Sequence, residues 1–319
     1  KDSLDKGLRE KFGADSVMPW HLSDPFFQSC KQEAASSGAA NGLDEHFRDK
    51  DLEALIRETY DGLGLEVRDV FSKSDLRERP GKDQHAFCLH VGRDYPYDVR
   101  VLANVRPDHY WMDTLLHEFG HAVYDKHIDP TLPFFLRSVA HTNTTEAIAL
   151  MMGSLADDPT WLSKVAGVPE EVGKVFRRIN RLDKLVFMRW ALVMYRFEQA
   201  LYEDPDREDL DSLWWDLVEE IQFARRPAGR DEPDWAAKIH VAIAPVYYHN
   251  YVIGELISTQ LRDYIEANIT RGPFFESEMG GRYLIEAVFG PGARENWRAT
   301  VARATGEEPN PDHFIGSLA

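Results

Sequence analysis

Residues 108–127 read DHYWMDTLLHEFGHAVYDKH. The stretch predicts a helix, with Pro107 and Asp108 marking its start. Inside it stands His117-Glu118-Phe119-Gly120-His121. Histidines four residues apart lie on one helix face, one turn apart. Their two nitrogens can hold one Zn²⁺ at about 2.0–2.1 Å. Glu118 projects beside such a metal, not onto it. There it can take a proton from the metal's water and pass it to a leaving amine. Gly120 is an unusual choice inside a helix. It implies that another backbone, or a substrate, passes close.

The next helical stretch, 143–156, supplies a candidate third ligand. It opens Asn143-Thr144-Thr145-Glu146-Ala147-Ile148-Ala149-Leu150. Asn143 or Thr144 is the expected cap, with Glu146 in the first turn. The rest of the helix is apolar and belongs in a core, where a carboxylate wants a partner such as Zn²⁺. A carboxylate near a helix N-terminus also interacts favourably with the helix dipole, without any metal. His127 and His141 stay open as alternative ligands. Two histidines and a carboxylate leave a coordination position for water, the mark of a catalytic site and not a structural one.

Outward from these helices the chain reads as mainly α. Residues 44–62 predict one helix, opened by Asp44 and closed at Asp61-Gly62-Leu63-Gly64. Residues 84–91 and 97–103 alternate as short strands around a Gly92–Pro96 turn, giving a small sheet beside the motif helix. Further helices are expected at 169–203, 207–224, 234–243, 246–269 and 277–288, with a last pair around Asn296 to Thr305. Pro245 is expected in the first turn of its helix. Residues 34–42 are small and polar and predict a mobile loop. The chain is long enough for one large domain or two lobes, and residues 1–319 are expected to form a single catalytic region.

Composition narrows the function. A formal net charge of -17 argues against a nucleic-acid partner, which needs clustered Lys and Arg. No apolar run reaches the roughly 18–20 residues that span a bilayer. Cys30 and Cys88 form no metal spacing and are expected to be free. Soluble cytoplasmic and periplasmic or secreted locations all remain open.

A second cluster reads Lys238-Ile239-His240-Val241-Ala242-Ile243-Ala244-Pro245-Val246-Tyr247-Tyr248-His249-Asn250-Tyr251. A phenol or imidazole near a metal can donate to a tetrahedral oxyanion. The same residues also suit ordinary aromatic packing.

The segments HEFGHAVY (117–124), LPFFLR (132–137) and TEAI (145–148) together resemble the peptidyl-dipeptidase A family, the angiotensin-converting-enzyme type of zinc peptidase. QHAFC (84–88), MPWHL (18–22), the 238–251 stretch and ATGE (304–307) extend the likeness over nearly the whole chain. The resemblance implies a zincin-like helical fold with a small sheet beside the motif helix. It implies one Zn²⁺ per chain, held by His117, His121 and Glu146, with Glu118 as general base. It implies that His240 and Tyr251 stabilise the tetrahedral intermediate. It gives Lys238 and Tyr248 the substrate's C-terminal carboxylate, and His85 and Ala86 the peptide backbone, held as an added strand. Asn250 stands where the family's chloride-linked arginine is expected, which argues against chloride activation. Leu150 stands where that family has an acidic residue behind the metal.

HEFGH, AFC (86–88) and YHNY (248–251) are also similar to oligoendopeptidase F and thimet oligopeptidase, which cut internally. The expected activity is therefore release of C-terminal dipeptides from short peptides, with internal cleavage as the alternative. Family members are longer, so the chain is expected to be their C-terminal catalytic part, with its own N-terminal part as a partner. A peptide-binding fragment without turnover is the contrasting reading.

Overall fold

The motif helix runs His109–Lys126, and the Asp108 carboxylate caps it by accepting the Trp111 N–H at 2.8 Å. The computed structural model describes residues 43–318, with 17–22, 24, 26–30 and residues 6, 9 and 10. The expected loop at 34–42 lies outside the described residues.

In chain order the described elements begin with helices α1 (Leu43–Phe47), α2 (Leu52–Gly62) and α3 (Arg68–Lys73). Strands β1 (Phe87–Gly92) and β2 (Asp98–Leu102) follow, then α4, the motif helix, and α5 (Thr142–Gly153). Next come α6 (Pro159–Lys164), the long α7 (Glu170–Glu203), α8 (Leu210–Leu217), α9 (Ile239–Ile243) and α10 (His249–Tyr264). The chain closes with α11 (Glu278–Leu284), α12 (Trp297–Thr305) and α13 (Asp312–Ser317). The mainly α expectation holds, with one antiparallel pair of strands as the described sheet.

Contacts divide the chain into two compact units. One contains the described part of Lys1–Ala40 with Arg178–Val252, and the other Asn41–Arg177 with Ile253–Ala319. The first unit is built on α7, whose Trp190, Met194 and Phe197 are fully buried with Trp214 of α8. Trp190 and Trp214 meet edge to face at 5.6 Å.

The second unit is built on α4. Met112, Leu115, Leu116, Phe119 and Val123 recur at helical spacing and are fully buried. Phe71 of α3 stacks on Phe119 at 4.3 Å. The Tyr60 hydroxyl of α2 donates to the Leu116 carbonyl at 2.7 Å. The β1–β2 register pairs Cys88 with Val101 and His90 with Val99. Those four residues face inward, while Phe87, Leu89 and Val91 are exposed.

Several boundaries differ from expectation. The helix predicted over 44–62 is two helices, because Asp51 starts a new one by accepting the Ala54 N–H. The first strand begins at Phe87, not 84, so His85 and Ala86 precede it. Residues 234–243 break at Lys238 into a 3₁₀ turn, Asp234–Ala237, and α9. The stretches 207–224, 246–269 and 277–288 finish as π-helical turns, Val218–Gln222, Ile265–Thr270 and Ile285–Phe289. Pro245 lies in a turn ahead of α10, not in its first turn.

Candidate metal centre

Helices α4 and α5 pack so closely that Gly120 has no room for a side chain. A Cβ there would lie 2.8 Å from the Ala149 Cα and 3.3 Å from the Ile148 carbonyl oxygen. The backbone inferred from Gly120 to pass close is therefore that of α5. A similar restriction holds at Gly254 of α10, where a Cβ would meet the Glu146 Cβ at 3.1 Å.

This packing brings His117, His121 and Glu146 together. One ligand atom from each lies within 4.8 Å of the others, and among the described residues no other such His, Cys, Asp or Glu group occurs. His117 Nε2 and His121 Nε2 are 3.2 Å apart. Two nitrogens of one tetrahedral zinc, each at about 2.0–2.1 Å, stand about 3.3–3.4 Å from one another. Glu146 Oε2 lies 3.7 Å from His117 Nε2, and Oε1 lies 3.9 Å from His121 Nε2. Glu146 is 1% exposed. Burial lowers the His117 pKa to about 4 and holds His121 well below its usual value. Both rings are thus neutral near pH 7, the form that ligates. The donor set of two neutral imidazoles and a carboxylate fits a zinc ion.

Glu118, next to His117 on α4, is buried. Burial, and then the charge of Glu146, raise its carboxyl pKa to about 8, while a hydrogen bond from the Cys88 backbone N–H acts in the opposite direction. A dication held by the ligands also favours the ionised form. The β1 backbone therefore touches the expected general base directly. Cys88 is a free thiol.

The alternative ligands are engaged elsewhere. His127 ends α4, its Nδ1 2.8 Å from the Val123 carbonyl. His141 caps α5 by accepting the Asn143 N–H at 3.2 Å. It takes the capping place expected of Asn143 or Thr144 and moves Glu146 past the first turn. His85 is exposed, its N–H donating to Asp83 Oδ1.

The family model described as angiotensin-converting enzyme matches residues 43–311. The chain belongs to the angiotensin-converting enzyme family. It is accordingly a metallopeptidase sequence, and its family's chemistry is zinc-dependent hydrolysis of peptide bonds. The likeness at MPWHL (18–22) falls outside the matched residues. A comparison with curated proteins finds no match. No helix among the described residues is long and apolar enough to cross a membrane.

The remaining residues named from the angiotensin-converting enzyme resemblance gather in the first unit. His240 lies 4.9 Å from Tyr248 and 6.2 Å from Tyr251, ring centre to ring centre, and Tyr248 lies 5.4 Å from Tyr251. Lys238 Nζ donates to Gln28 Oε1 at 2.7 Å and sits over the Phe26 and Trp190 rings. Burial lowers the Lys238 pKa, opposed by the charge of Asp24. Tyr248 is buried, with its pKa pushed up to about 12. Its hydroxyl accepts from Trp190 Nε1 at 3.0 Å and donates to Gln28 Oε1 at 3.4 Å.

Sequence reasoning assigned no role to Gln28, to the Cys88 amide or to Thr145. Thr145 was the most accessible of these, as the immediate neighbour of Glu146.

Proposed function

We propose that the chain hydrolyses short peptides and releases C-terminal dipeptides, using one zinc ion held by His117, His121 and Glu146. The observation carrying this reading is the buried His117–His121–Glu146 cluster with Glu118 beside it on the same helix. When bound, the zinc ion supplies Lewis-acid activation of a water and of the scissile carbonyl. The chain's residues do the rest. His117 and His121 offer neutral nitrogens, and Glu146 offers a compensating negative charge. Glu118 takes the proton of the attacking water and returns it to the leaving amine.

The further roles rest on the family resemblance. His240 and Tyr251 donate to the oxyanion, and Lys238 and Tyr248 receive the substrate carboxylate. His85 and Ala86 carry the peptide backbone next to β1, where Phe87, Leu89 and Val91 leave one face of the strand exposed.

The test uses fluorogenic peptides and mass spectrometry of the products. A chelator should abolish turnover and Zn²⁺ restore it. Glu118→Gln should lower kcat by about 10²–10⁴-fold while zinc stays bound. Full activity in that variant removes the general-base assignment. Cuts inside C-terminally amidated peptides would replace the dipeptidase reading with the oligoendopeptidase one. A zinc-loaded chain with no turnover would support the inert peptide-binding reading.

A further inference from the structure

A histidine that ligates through Nε2 must keep its proton on Nδ1, and something must hold that proton in place. His121 has such a partner. Its Nδ1 lies 2.7 Å from Thr145 Oγ1. On the other side of the ring, Nε2 faces His117 Nε2 at 3.2 Å and Glu146 Oε1 at 3.9 Å. Thr145 is half-buried and stands next to Glu146 on α5. One pair of adjacent residues thus supplies both a candidate ligand and the oxygen that orients another ligand. Close packing of α5 on Gly120 holds that pair against α4.

We propose that Thr145 is a positioning residue for the metal, fixing His121 as the Nδ1–H tautomer with its Nε2 lone pair turned to the ion. The inference rests on the zinc-site reading above. A threonine hydroxyl has two acceptor lone pairs and one donor, so it can accept the Nδ1–H without changing its own charge. That neutrality matters here. Glu118 and Glu146 already place two buried carboxyls at this site. A carboxylate behind His121 would add a third negative charge. A hydroxyl orients the ring without one. The orienting group comes from the residue before Glu146, whereas Leu150, one turn beyond it, cannot hydrogen-bond an imidazole.

The test measures zinc affinity by competition with a chromogenic chelator, independently of catalysis. Thr145→Val keeps the branched shape and removes the oxygen. It should weaken zinc binding by about 10–100-fold. Thr145→Ser, which restores the hydroxyl, should bind close to the parent. Circular dichroism of the metal-free proteins checks that the helices persist. A second measurement needs no variant: ¹⁵N NMR of the zinc-loaded parent should show the His121 proton on Nδ1. Unchanged zinc affinity in Thr145→Val, or zinc held through Nδ1 with the proton on Nε2, overturns the inference while leaving the zinc site intact. A parent chain that takes up no zinc overturns the proposed function and this inference together.

Discussion

Tyr248 shows how one hydroxyl can serve the core around it. It is 3% exposed, and its oxygen accepts the Trp190 indole N–H. Phenylalanine at 248 would keep the ring and leave that buried N–H without its acceptor. Such an orphaned donor costs about 1–3 kcal/mol. Tyr248→Phe should therefore lower the urea midpoint of the chain, and the loss should largely vanish in a Trp190→Phe background. A single variant as stable as the parent would show that the hydroxyl contributes nothing to the fold. The sequence displays the density of His and Tyr around 248, but not this arrangement. Gln28 accepts from both Lys238 and Tyr248, and it lies 210 and 220 positions away from them. Partners at that separation leave no local pattern. The two histidine candidates were legible for the opposite reason: a spacing of four on a helix has a fixed geometry.

Between elements, α4 approaches the backbone of α5 closely at Gly120. In an ordinary helix Gly→Ala gains about 1 kcal/mol. Here the new Cβ would meet the Ala149 Cα at 2.8 Å and the Ala149 nitrogen at 3.2 Å. Backbone atoms cannot rotate away, and overpacking costs about 1–3 kcal/mol. Separation of the helices would also pull Glu146 from His117 and His121. Gly120→Ala should then lower both the melting midpoint and zinc affinity. Gly316 in α13 is the control, because a Cβ there meets nothing within 4 Å. Gly316→Ala should be neutral or slightly stabilising. Equal behaviour of the two variants would remove the packing argument. Gly120 was readable because glycine is costly inside a helix and so needs a reason. The break in 44–62 was less visible, since polar and apolar residues continue through it. What divides the helices is the Asp51 carboxylate capping Ala54. The π-helical endings escaped for a similar reason. They are hydrogen-bond shifts, not changes in residue pattern.

Over the whole molecule, charge is the property that no single contact reveals. The chain carries 54 Asp and Glu against 37 Lys and Arg, a formal net charge of -17. Two electrostatic effects then oppose each other. Local ion pairs, such as Arg106–Glu78 at 2.9 Å and Arg262–Glu266 at 3.1 Å, attract at short range. The excess of negative charge repels over longer distances and opposes compaction. Salt separates the two, because the Debye length falls from about 30 Å at 0.01 M to about 8 Å at 0.15 M. Screening on that scale removes repulsion across a unit far more than it weakens pairs at 3 Å. Exposed pairs are also worth little to begin with, about 0–1 kcal/mol each. Arg106 and Glu78 are of this kind, with side chains 62% and 49% exposed. Repulsion should therefore win. The melting midpoint is expected to rise by a few degrees between 0.01 and 0.15 M NaCl, measured by scanning fluorimetry on the metal-free chain. A midpoint that falls over the same interval would mean that the ion pairs outweigh the net charge.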